Sequence, residues 1–345
     1  MKQAADISEQ ATLWLGLAGF EPSARAALAA LLPKPRAQQP HWKIGDFHGA
    51  DGWWLNSANV SVSPGGVVTV PGDKGASQMQ LKVNETDRPV AFTTPLGSHL
   101  GKDFEPFCTV DPTSAAGVAD VLQLFEDWLS PVLAQFALGA HIHRRNTQLT
   151  NAVYHLNRQA ALVAVIDLRS WRVGIQPGAR AEDFEQASWD RRPPSASDIP
   201  RDFDARSLTQ VMWNYAQRTS ADVLPPRYRE GLIFFRRSPR VPSRVLQDSQ
   251  LLLLRELAAG PVSFRSLSTQ FGLPEDQVAR DLASLYFAGS ITSSRSEADT
   301  APGDLPRGSA TGFGASPLGE DSALSSRRDS DPPFDGTAPA PLRYD

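Results

Sequence analysis

Six arginines crowd one stretch of this chain. Arg227, Arg229, Arg236, Arg237, Arg240 and Arg244 fall within 18 residues, with Tyr228, Phe234 and Phe235 between them. A guanidinium is a planar fork of donors that grips phosphate or carboxylate through two parallel hydrogen bonds and stacks on flat rings. The segment LPPRYREGLIFFRRSPRVPSR is therefore the best candidate site for an anion: an acidic protein surface, a nucleotide or cyclic dinucleotide, or nucleic acid. The competing reading is a solvated rim around one strand, Leu232 to Phe235, because a run of charge usually faces water. Beyond Lys102 every Lys or Arg position holds Arg, which makes a cluster of arginines less telling.

Other groups of reactive side chains fall short of a recognisable chemistry. His141-Ile142-His143 is the one close histidine pair, but it closes a long helix, has Arg144 and Arg145 beside it and lacks a third ligand. Asn59, Ser61 and Gly65 miss the [DN]xSxxG half of a cyclic-dinucleotide PilZ signature by one position, and no arginine pair precedes them. GVVTVPGDKGAS places Pro71 and Asp73 where a phosphate-binding Walker loop cannot have them. The single cysteine, Cys108, excludes an internal disulfide and has no base nearby in sequence. With no GxSxG, HExxH or Cys/His arrangement, the chain is expected to be no enzyme, with no catalytic residue, metal or cofactor.

Composition sets the frame for these residues. The 345 residues, 41% of them hydrophobic, suffice for two or three cores, and a net charge of −4 gives no global pull toward nucleic acid or membrane. No apolar run approaches a membrane span and MKQAADISEQ lacks the apolar stretch of a secretory signal, so a cytoplasmic location is expected. Charge is uneven along the chain: residues 1–150 hold 11 bases and 14 acids, residues 151–250 hold 15 and 11, and the C-terminal tail 5 and 9.

After a flexible stretch over 1–10, residues 11–147 read as an α/β domain. Leu13 to Ala18 is an apolar strand, Gly19 turns the chain, and Pro22 starts a helix whose Ala26, Leu28, Leu31 and Leu32 face inward. Strands are expected at His41 to Phe47, Trp53 to Val62, Val67 to Val70 and Pro89 to Thr94. Asp111-Pro112 should open a long helix lined by Val118, Val121, Leu122, Phe125 and Leu129, with a kink or second start at Ser130-Pro131. Adjacent Trp53 and Trp54 must face opposite sides of a strand, so one is either packed under a helix or exposed as a partner surface. This order of elements, opening with LWLGLAGFEPSARAALAALL, resembles a response-regulator receiver domain with its flavodoxin-like architecture. The resemblance implies an acidic cluster after the first strand and a phosphate-accepting aspartate after the third. Here Glu21 stands alone and Asn56 occupies the acceptor's neighbourhood, leaving Thr93, Thr94 and Lys102 with nothing to coordinate. The implied domain is a degenerate receiver that takes no phosphate and serves as a docking or dimerising module.

Residues 151–248 read as an α+β region. Val153 to Leu156, Leu162 to Leu168 and Arg172 to Ile175 are short antiparallel strands, Ala181 to Trp189 and Ser207 to Arg218 helices, and Arg191 to Pro200 a loop. Residues 249–292 have the pattern of a winged-helix-like three-helix unit. Leu251, Leu254 and Leu257 line the first helix; Ser263 caps a second that buries Phe264, Leu267 and Phe271 and stops at Gly272. Pro274 opens a third with Val278, Leu282 and Leu285 inward, and Gly289 ends it before a strand at Ser290 to Thr292. If that third helix read DNA, Gln277, Arg280 and Ser284 would do so, yet its expected outer face also carries Glu275, Asp276 and Asp281. Residues 293–345 read as a disordered acidic tail, either solvated or folded back on the arginines. The expectation is a bacterial-type regulatory protein acting by protein docking. A DNA-binding transcriptional regulator and a nucleotide-binding module are the alternatives, and homodimerisation is open.

Overall fold

The computed structural model describes residues 9–34, 36, 39–63, 67–70, 79–82, 88–94 and 108–299. The chain opens with β1 (Thr12–Ala18), α1 (Pro22–Leu31), β2 (His41–Gly45) and β3 (Gly52–Leu55), followed by β4 (Ser61–Ser63), β5 (Val67–Val70) and β6 (Met79–Lys82). β7 (Val90–Phe92) and β8 (Cys108–Thr109) complete a parallel sheet in the order β2-β1-β3-β7-β8. Strand alternation gives this sheet two apolar faces. Leu13, Leu15, Leu17 and Trp54 pack under Leu28 of α1 and under Val118, Val121, Leu122 and Phe125 of α2 (Ala115–Trp128). Trp53, Leu55, Val90 and Phe92 pack on the other side against Val68 and Val70 of the antiparallel sheet β4-β5-β6. Trp53 and Trp54 are thus both buried, Trp53 stacked on Phe47 at 4.9 Å.

Three expectations in this region need correction. The strand expected over Trp53 to Val62 stops at Leu55, because the Asn56 carboxamide accepts from Ala58 N (3.2 Å) and bends the chain into a turn before β4. Asp111 accepts from Thr113 N and Oγ1 in a turn of its own, and Ser114 is the N-cap of α2, accepting from Gly117 N at 3.2 Å. Ala26 of α1 is exposed. Ser130-Pro131 marks a second start: Leu129 separates α2 from α3 (Ser130–Arg144).

The second half begins with β9 (Val153–Arg158), β10 (Ala161–Asp167) and β11 (Arg172–Ile175), then α4 (Ala181–Glu185), β12 (Ser188–Arg192), β13 (Asp204–Ser207) and α5 (Leu208–Arg218). The β9–β10 turn puts Gln159 and Ala160 at φ +48° and +68°, the backbone that a two-residue hairpin demands even without glycine. The expected helix over Ala181 to Trp189 ends at Glu185. Ser188–Arg192 instead pairs with β9 as the edge of an antiparallel sheet ordered β12-β9-β10-β11-β13, supplying partners for backbone groups that β9 would otherwise leave unbonded.

The last elements are α6 (Arg227–Glu230), β14 (Leu232–Phe235), α7 (Asp248–Ala259), β15 (Val262–Ser263), α8 (Phe264–Phe271), α9 (Glu275–Phe287), β16 (Ile291–Thr292) and α10 (Arg295–Asp299). Ser263 caps α8 by accepting from Ser266 N, and Gly272 and Gly289 take the left-handed backbone at φ +60° and +65°. Leu253 and Leu257 are the buried leucines of α7, with Ser249 and Gln250 buried beside them, and Leu251 is 49% exposed, so the buried stripe differs from the expected one. The strand at Ile291 pairs with β14, which becomes the middle strand of β15-β14-β16. One core joins Ala11 to buried residues from Ala134 to Ile291, across the expected boundaries at 147/151 and 248/249. Helix α10 falls inside the expected tail, and Glu9, inside the stretch expected to be flexible, accepts hydrogen bonds from Tyr215 Oη (3.1 Å) and Thr219 Oγ1. The remainder of both terminal expectations lies outside the described residues. Among the described residues no helix is long and apolar enough to cross a membrane.

Candidate functional site

At the carboxyl ends of β1, β3 and β7, polar side chains satisfy one another. Asn56 Nδ2 and Asn59 Nδ2 donate to Gly19 O at 3.0 and 2.7 Å, Thr93 Oγ1 donates to Asn56 Oδ1 at 3.3 Å, and Ser57 N donates to Thr93 Oγ1 at 3.0 Å. Asn56 and Thr93 meet, as their positions after the third and fourth parallel strands imply, but as a hydrogen-bonded pair occupied with Gly19. Lys102 lies outside the described residues.

The arginine-rich segment divides into two. Arg229 on α6 pairs with Asp222 at 2.6 Å and lies over the Phe264 ring at 4.6 Å. Arg227 lies over Tyr228 and Tyr286 at 5.4 and 5.8 Å. Burial pushes the Tyr228 phenol up to about 12, and its hydroxyl donates to Ile291 O. These two arginines are parts of the packing between α6, α8 and α9. Past β14 the chain stays against β16: Arg236 N and Arg237 N both donate to Ser290 O, at 2.8 and 3.4 Å. Arg236, Arg237 and Arg240 gather there. Burial, then Arg240, then Arg236 hold the Arg237 guanidinium below its ordinary pKa. A half-buried cation crowded by two others is a place where an anion lowers the energy. The Arg244 side chain is outside the described residues.

The expected reading face of α9 is largely internal. Ser284 is fully buried, accepts from Gln217 Nε2 at 2.6 Å and donates to Arg280 O; Asp281 is 1% exposed and accepts from Gln250 Nε2 at 3.1 Å. The Arg280 guanidinium lies over the Trp14 ring at 5.0 Å, with Asp276 at 3.7 Å. Glu275 and Asp276 are exposed, with Gln277 half-buried between them and the core. Ser284 is therefore corrected from a surface group to a core one. Gln217, which bonds Ser284, and Gln250, which bonds Asp281, are polar residues on otherwise apolar helix faces, a signal present in the sequence.

The Arg280–Trp14 contact belongs to a seam between the parallel sheet and the helices of the second half. Arg218 on α5 pairs with Asp51, whose other oxygen accepts from Trp14 N at 2.9 Å. His143 packs against Tyr215 and Phe287, and burial lowers its pKa; His141 Nδ1 lies 3.0 Å from Arg145 Nη1. Burial pushes the Cys108 thiol up to about 11, far from a reactive thiolate. Among the described residues no group of three or more His, Cys, Asp or Glu could hold a metal ion.

The chain matches no family model, no curated protein and no solved structure.

Proposed function

We propose that this chain is a non-enzymatic regulatory protein that docks an acidic protein surface on Arg236, Arg237 and Arg240. The observation that supports the reading is the closeness of Arg236 and Arg240 to the half-buried Arg237 guanidinium just past β14, where both add to burial in lowering its pKa. In this reading the parallel sheet is a receiver-like unit without phosphate chemistry. The sheet order β2-β1-β3-β7-β8 supports that, as does the Asn56–Thr93–Gly19 cluster at its carboxyl edge. Helices α7 to α9 with the strands β15-β14-β16 are the winged-helix-like unit, used for protein contact. The burial of Ser284 and Asp281 and the exposed acids of α9 weigh against base reading.

The test is fluorescence anisotropy of the full chain with a labelled oligoglutamate peptide and, separately, a labelled duplex with random-sequence competitor, across a salt series. Docking predicts binding of the peptide at low salt that R236A/R237A/R240A abolishes, and duplex binding no tighter than the competitor's. Absence of peptide binding at low salt overturns the reading. Tight duplex binding that resists competitor transfers it to a transcriptional regulator.

A further inference from the structure

A helix that lies on a sheet ordinarily turns charged side chains to the water on its far side. Two helices of the parallel sheet depart from this. On α1, Leu28 is the buried residue, and the outward stripe Ser23, Ala26, Ala27 and Ala30, at i, i+3, i+4 and i+7, is exposed and uncharged. On α2 the face away from Val118, Leu122 and Phe125 carries Asp120, Leu124, Asp127 and Trp128, at i, i+4, i+7 and i+8. Leu124 is 56% and Trp128 41% exposed, so two of the four large hydrophobic side chains that the described residues expose lie one turn apart on this helix.

Both helices cover one face of the sheet, where Leu28 shares a core with Val118, Val121, Leu122 and Phe125. The second half of the chain meets the sheet from the other side, where Arg280 lies over Trp14, the strand neighbour of Leu13 and Leu15 that points away from them. Each helix starts at the carboxyl edge of the sheet and runs back. Helix α1 joins the parallel strands β1 and β2. Helix α2 follows β8 and brings Phe125 against Gly52 and Glu126 onto Trp42 Nε1, which donates to it at 2.9 Å, at the amino ends of β3 and β2. The two helices therefore point the same way. Their charges are opposite: residues 21–36 carry Arg25, Lys34 and Arg36 against Glu21, whereas residues 111–131 carry Asp111, Asp120, Glu126 and Asp127 and no base. Arg25, Lys34, Arg36, Asp120 and Asp127 are all exposed.

We propose that the outer face of α1 and α2 binds a second copy of this chain across a twofold axis normal to the sheet. Two helices that point the same way meet their copies antiparallel under that operation, so α1 of each chain lies against α2 of the other and every contact occurs twice. Arg25, at the amino end of α1, then meets Asp127 of the partner subunit, and Lys34 and Arg36, past the carboxyl end of α1, meet Asp120 of the partner subunit. Leu124 and Trp128 lie on the alanine stripe, whose short side chains let the helices approach closely. Charge complementarity selects the occupant, because the basic, small-faced helix that fits an acidic, apolar one stands beside it in the same layer of the same molecule. Helices about 15 and 21 Å long make a small interface, which favours a reversible dimer over an obligate one. The inference stands apart from the docking reading of Arg236, Arg237 and Arg240.

Sedimentation equilibrium of the full chain at low salt, from about 1 to 100 μM, should show a monomer–dimer equilibrium. L124E should weaken it about a hundredfold, or about tenfold at each of the two equivalent contacts, with the urea midpoint unchanged because the side chain is exposed. A30E, on the other helix, should do the same. Charge reversal tests the pairing: D120K and K34E/R36E should each weaken the dimer, and D120K/K34E/R36E should regain it. R236A/R237A/R240A should leave it unchanged. A chain that stays monomeric throughout the range overturns the proposal, as does a dimer that L124E and A30E leave intact. Failure of the combined reversal to regain the dimer overturns the antiparallel pairing. A dimer abolished by R236A/R237A/R240A overturns the proposal in favour of the acidic helix lying on the arginine face.

Discussion

Two places in this molecule crowd charged groups together, and they resolve the crowding in opposite ways. At the seam between the parallel sheet and α5, Arg218 and Asp51 are 17% and 6% exposed and form a matched pair, with Asp51 also accepting from Trp14 N. Beside β14, the like charges of Arg240 and Arg236 add to burial in holding the Arg237 guanidinium below its ordinary pKa. The seam brings opposite charges together, whereas past β14 like charges meet. Groups that spend stability near the surface are where a partner is to be sought.

The largest effect expected from this contrast is at the seam. Replacing Arg218 by Ala leaves the Asp51 carboxylate buried without its counter-ion, which should cost about 3–5 kcal/mol. Urea denaturation of the full chain would show it as a large drop in midpoint. A loss below about 1 kcal/mol, the range of an exposed pair, would mean that the seam is no more self-sufficient than the triplet.

Asp281 sharpens the contrast, since it is a buried carboxyl that no matched cation neutralises. Burial raises its pKa, and hydrogen bonds from Ser249, Gln250 and Gln217 together with the charge of Arg280 pull only part of the way back. The folded state therefore holds this proton more tightly than the unfolded one. Its stabilising contribution is complete below the unfolded pKa of about 4 and is lost as pH rises through the raised folded value. In Asp281→Asn that dependence should vanish, so the variant's urea midpoint should gain on the wild type as pH is raised from 4 toward neutrality. Parallel pH profiles for the two proteins would show that the buried carboxyl is compensated after all.

How much of this is legible in the sequence depends on the range of the interactions involved. Ser263, Gly272 and Gly289 mark helix ends because a cap hydroxyl and a left-handed backbone are local needs. The apolar run Leu13 to Ala18 is likewise its own evidence for a buried parallel strand. Ser188 and Trp189 read as the end of a helix, and Arg191 and Arg192 as loop, because nothing in SWDRR announces the edge of β9, 31 residues away, that it joins. Asp281 and Ser284 resemble a solvated face because their partners, Gln217 and Gln250, come from two other helices. The candidate site is legible as composition and not as geometry. Six arginines in one segment point to an anion, but only the positions of Asp222, Phe264 and Tyr286 show that two of them are spent on packing.

The smallest and most discriminating effect is expected at the triplet itself. Arg236 is half-buried and its backbone is held to Ser290, so Arg236→Gln keeps the strand and removes one of the charges that depress Arg237. Stability should rise by a few tenths of a kcal/mol, the scale of a partly solvated charge interaction. The salt response carries the sharper information. Repulsion among cations is screened over about 10 Å at 0.1 M ionic strength, so added sodium chloride should stabilise the wild type more than the variant. An acidic partner added in excess reverses the sign: salt then weakens an attraction, and Arg236→Gln lowers stability at low salt.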